Sequence, residues 1–61
     1  MFISQAQAGR LWAIAYKELG LREREVRAVF LEFGVTSTKM IVVNDYEKVI
    51  SRLKEYADAN F

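Results

Sequence analysis

Val26-Arg27-Ala28-Val29-Phe30-Leu31-Glu32-Phe33-Gly34-Val35-Thr36-Ser37-Thr38-Lys39 is the stretch that decides the fold. Val26, Val29, Phe30 and Phe33 recur at i, i+3, i+4 and i+7, which is one face of a helix with 3.6 residues per turn. Gly34 ends that helix, because glycine adopts the left-handed backbone of a helix stop without a Cβ clash. The hydroxyls Thr36, Ser37 and Thr38 and the cation Lys39 then form a corner. Leu31 lies well off the apolar stripe, so it is expected on the surface.

Working backward, Arg22 is a poor N-cap for this helix, since its side chain has no acceptor to offer. Glu23 and Glu25 suit the positive end of the helix dipole. Upstream, Ser4-Gln5-Ala6-Gln7 matches a capping box, with Ile3 placed for a hydrophobic staple against Ala8. Ala8, Leu11, Trp12, Ala15 and Leu19 follow on one face, flanked by Ile14 and Tyr16, and Gly20 closes the helix. Trp12 belongs with the core, whereas Tyr16 and Ile14 lie at its edges.

Downstream, Ile41-Val42-Val43 favours extended geometry. A lone extended segment has no partner to pair with, so no sheet is expected. Asn44 is a strong N-cap with Glu47 three residues on. Tyr46, Val49, Ile50, Leu53 and Ala57 then mark a third amphipathic helix, with a fraying tail from Asp58 to Phe61. The expected fold is a single all-α domain over 1–61, a compact three-helix bundle. Its helices span about 5–19, 23–33 and 45–57, with a short turn or extended segment at 36–43.

Totals set the limits. A chain of 61 residues is one small domain, and it buries only about 60% of its unfolded surface. Without cysteine or histidine it has no disulfide, no thiolate and no imidazole base. Glu23 and Glu25 project to different sides of a helix, and the three glycines are too scattered for a phosphate loop. These facts point away from an enzyme, a cofactor and a metal. The net charge of +1 sets up no strong field for nucleic acid. No run approaches the roughly 20 apolar residues of a membrane helix, and there is no secretory leader pattern at the start, so a cytoplasmic setting is expected.

Two sets of candidate contact residues remain. Arg22, Arg24 and Arg27, with Arg10, form the best basic cluster, and Thr36, Ser37, Thr38 and Lys39 could receive a phosphate at the corner. The plainer alternative is a solvated face whose cations are balanced by Glu23, Glu25 and Glu32, beside hydroxyls that merely cap a turn. Ile14, Tyr16, Leu31 and Met40, with Ile41 beside it, are the apolar candidates for a partner or self-association patch.

Several segments carry a family resemblance. They are Ile3 to Ala15 (I-S-x-A-Q-x-x-R-L-W-A-I-A), Gly20-Leu21, Glu25-Val26-Arg27, Phe33 to Lys39 (F-G-V-x-S-T-K) and Asp45 to Ile50 (D-Y-x-x-V-I). Together they resemble a small helical module found at the C-terminal ends of phage-type recombination proteins, among them single-strand annealing proteins of the Erf and RecT kinds. The resemblance implies a non-catalytic accessory module that contacts single- or double-stranded DNA, or a recombination or replication protein. Arg22 departs from the serine-like cap of that module, and Leu31 stands where a polar residue is expected. The Leu31 departure raises the alternative of a protein-protein module or a homodimer with no nucleic-acid binding. A weaker likeness, through helix 2, the corner and helix 3, is to helix-extended-helix DNA modules of the SAP kind.

Overall fold

The computed structural model describes residues 1–59. Helix α1 spans Gln5–Ala13 and runs directly into a π-helical turn, Ile14–Glu18. Helix α2 spans Glu23–Glu32 and helix α3 spans Tyr46–Ala59. Two short 3-10 turns, Thr38–Met40 and Val43–Asp45, lie between α2 and α3. The protein is an all-α three-helix bundle. Its radius of gyration, 10.5 Å, is that of a packed globule of this length.

The capping box at Ser4 forms as read. The Ser4 hydroxyl accepts from the Gln7 N–H at 3.1 Å, and Gln7 Oε1 accepts from the Ser4 N–H at 2.7 Å. At Arg22 only half of such a box exists. Glu25 Oε1 accepts from the Arg22 N–H at 2.8 Å, while the guanidinium, which has no acceptor, returns nothing.

The two helix stops differ. At Gly34 (φ 73°) the Gly34 N–H reaches the Leu31 carbonyl and the Val35 N–H reaches the Phe30 carbonyl, which is a complete Schellman motif. At Gly20 (φ 67°) the Leu21 N–H reaches the Ala15 carbonyl, one residue farther back than that motif requires. The π turn supplies the extra residue, with the Leu19 N–H bonding to the Ile14 carbonyl at 2.9 Å. The wide turn has a packing reason. In a regular helix Glu18, at i+7 from Leu11, would face the core. The added residue turns Glu18 to solvent and brings Leu19 round to half-burial.

The core gathers Leu11, Ile14 and Ala15 from the first helix, Val26, Val29 and Phe30 from α2, and Tyr46, Val49, Ile50, Leu53 and Ala57 from α3. Leu21 and Ile41 come from the connections and Ile3 from the lead. Phe30 is fully buried, and the half-buried Trp12 meets its ring edge-on at 5.7 Å. Among the described residues no polar side chain is buried, so the core is held by apolar packing.

The structure corrects the sequence reading at several points. The extended segment at 41–43 does have a partner, the N-terminal lead. Phe2 and Val42 form an isolated antiparallel bridge, flanked by bonds from the Ile3 N–H to the Ile41 carbonyl and from the Val43 N–H to the Met1 carbonyl, both 2.9 Å. This pairing presses Ile41 inward, where it is buried rather than exposed. Asn44 does not cap α3. It lies inside the 3-10 turn that leads into the helix, whose own cap position is Val42. Asp58 and Ala59 remain helical, and the tail expected to fray at 60–61 lies outside the described residues. Among the described residues no helix is long and apolar enough to cross a membrane.

Candidate interaction surface

The outer side of α2 presents Arg24, Arg27, Ala28 and Leu31 at i, i+3, i+4 and i+7, and all four are exposed. This is the side opposite Val26, Val29 and Phe30, so the periodicity that builds the core also fixes what solvent meets. Leu31, at the C-terminal end of this face, is 65% exposed.

Arg27 ties this face to the corner. Its Nε donates to Glu23 Oε2 at 2.8 Å, and its Nη1 donates to the Thr36 carbonyl at 2.7 Å. The Thr36 hydroxyl in turn donates to Met40 Sδ at 3.3 Å. Met40, 44% exposed, thereby stands beside the Arg27 end of the helix face. Residues read as separate basic and apolar sets, Arg24 and Arg27 on one hand and Leu31 and Met40 on the other, thus share one surface.

Other candidates fall elsewhere. Ile14 is not a surface residue: at 5% exposure it is core, on the buried face where it and Ala15 follow Leu11 at i+3 and i+4. Tyr16 is 45% exposed and stacks on Trp12, with ring centroids 5.1 Å apart and planes at 26°. Arg10 leaves the basic cluster. Its Nη1 donates to the Tyr46 hydroxyl at 3.2 Å and lies 3.4 Å from Glu47 Oε2. The hydrogen bond to Tyr46, and then the Glu47 charge, raise the Arg10 pKa above its ordinary value.

The corner itself divides. Thr36 faces Arg27, whereas Thr38 and Lys39 line a shallow recess with Ile3, Ser4, Gln5 and Ala8 at the start of α1. Ser37, half-buried, precedes the 3-10 turn without a side-chain capping bond. The four corner residues therefore do not converge on one point. Arg22 is exposed at the N-cap of α2.

The charges around the α2 face are not evenly satisfied. Glu23 is engaged by Arg27, Glu25 by the Arg22 N–H, and Glu32 by Arg52 of α3 through two bonds of 2.7 and 3.1 Å. Among the described residues Arg22, Arg24 and Lys39 make no ion pair. Among the described residues, too, no group of three or more carboxylates gathers to hold a metal.

Compared with protein families, curated proteins and solved structures, the chain matches none.

Proposed function

We propose that this chain is a non-catalytic interaction module that docks a partner protein on the outer face of α2. Leu31 carries this reading: a leucine exposed at the C-terminal end of a face whose other half is Arg24 and Arg27, with Met40 linked to Arg27 through Thr36, is a small apolar anchor with charge beside it. Protein interfaces combine an apolar centre with a polar rim and are enriched in methionine and arginine. The resemblance to recombination modules suggests DNA-handling proteins as the class of partner.

The test uses a helical peptide with a leucine seam and glutamine at the flanking positions, titrated into the nitrogen-15-labelled chain. Amide shifts at Arg24, Ala28, Leu31 and Met40 that vanish in Leu31→Glu are the expected result. Shifts confined to other faces, or none at millimolar peptide, overturn the reading.

A second reading is direct contact with DNA, favoured by Arg22, Arg24 and Lys39, which make no ion pair among the described residues. Single-stranded DNA would then shift those three residues, with affinity falling steeply as salt rises. The net charge of +1 and the internal use of Arg10 and Arg27 count against it.

A further inference from the structure

We infer that the segment docking on α2 is acidic: an amphipathic helix with an apolar seam flanked by Asp or Glu. This rests on the docking role proposed above and names its partner's chemistry. The argument is charge complementarity. All three carboxylates of α2 already have partners within the chain: Glu23 holds Arg27, Glu25 holds the Arg22 backbone, and Glu32 holds Arg52. Within the stripe of Arg24, Arg27, Ala28 and Leu31 itself there is no carboxylate for an approaching cation. An approaching carboxylate finds Arg24, which makes no ion pair among the described residues, on the same exposed face as Ala28 and Leu31.

A second copy of the chain fits less well. An antiparallel two-fold contact centred on the stripe sets Arg24 over Leu31 and Arg27 over Ala28 of the other copy, so each arginine loses water against an apolar side chain and gains no anionic partner from the stripe. DNA fits less well also. Ala28 and Leu31 make up the C-terminal half of the face, where phosphate oxygens would gain nothing from them.

The experiment compares three helical peptides with one leucine seam, flanked by glutamate, glutamine or lysine, on the full chain. The glutamate peptide is expected to bind at least tenfold more tightly than the glutamine peptide and to lose that advantage at high salt. The lysine peptide should bind most weakly. Arg24→Glu should reverse the order, and Arg24→Gln should abolish it; both substitutions sit at an exposed site that folding does not need. If glutamate and glutamine peptides bind the α2 face equally, the acidic partner is wrong while the docking face stands. A concentration-dependent dimer that buries Leu31 in sedimentation likewise overturns it. If none of the peptides shifts α2, the docking role itself fails.

Discussion

Arg27 Nη1 donates to the Thr36 carbonyl at 2.7 Å, joining the outer face of α2 to the corner that follows it. The same guanidinium holds Glu23 one turn back, so a single side chain spans the helix and the loop. Removing it should loosen the corner without unfolding the bundle. Arg27→Ala is expected to cost about 1 kcal/mol by urea unfolding, since the site is half-exposed and solvent screens the ion pair. Amide shifts should concentrate at Thr36 to Met40. Arg27→Lys should restore the charge but not the two-ended fork.

Glycine substitutions should have opposite signs. Gly9 sits within α1 at ordinary backbone angles, and a Cβ there meets nothing within 4 Å. Gly9→Ala is expected to stabilise by roughly 0.5–1 kcal/mol. Gly34 has φ of 73°, where a Cβ is strained whatever the space around it. Gly34→Ala should destabilise by about 1–2 kcal/mol. Thermal melts of the two variants check this directly.

Burial separates the apolar candidates. Ile14→Ala and Ile41→Ala remove core side chains and should each cost about 2–5 kcal/mol, enough to leave so small a domain largely unfolded. Leu31→Ala and Met40→Ala should change stability by under about 0.5 kcal/mol, as surface substitutions do. Circular dichroism in urea distinguishes the two groups, and equal costs would place Leu31 in the core.

Tyr46 anchors α3 to α1. Its hydroxyl donates to the Gln7 carbonyl at 3.1 Å and accepts from Arg10 at 3.2 Å. Tyr46→Phe is expected to cost about 1 kcal/mol. In a double-mutant cycle, Arg10→Ala should cost less when combined with Tyr46→Phe than in the parent chain. The raised Arg10 pKa keeps the cation charged below its already alkaline unfolded value, and the contribution fades only as pH climbs through the folded one. This contact should therefore add no pH dependence between about pH 5 and 9. Urea midpoints of the parent and of Arg10→Ala should keep a constant separation across that range.

How legible this was depends on the range of the forces involved. The α2 stripe and its glycine stop were readable because helix period and capping are local: Val26, Val29, Phe30 and Gly34 carry them within a dozen residues. The inward turn of Ile14 was not. Read as one regular helix, the stripe through Trp12, Ala15 and Leu19 leaves Ile14 at its edge; the π turn takes Leu19 off that side, and the buried face runs through Leu11, Ile14 and Ala15 instead. Pairing of the lead with 41–43, which buries Ile41, joins segments far apart in the sequence that no local rule connects. The tie from Arg10 to Tyr46 is equally distant in sequence. Of the candidate site, the exposure of Leu31 and Tyr16 was readable from the helix period, whereas Met40 lies in the corner, where no helix period applies. The joining of Arg27 to Met40 through Thr36 needed the folded corner.

The measurement that bears most directly on the docking face is the amide spectrum of the labelled chain with the glutamate-flanked leucine peptide, at low and at moderate salt. A docking face on α2 predicts a contiguous footprint on Arg24, Arg27, Ala28, Leu31 and Met40 that weakens with salt and is lost in Leu31→Glu. Shifts gathered instead on Trp12, Tyr16 and Lys17, or on the outer face of α3, with α2 unmoved, would contradict it.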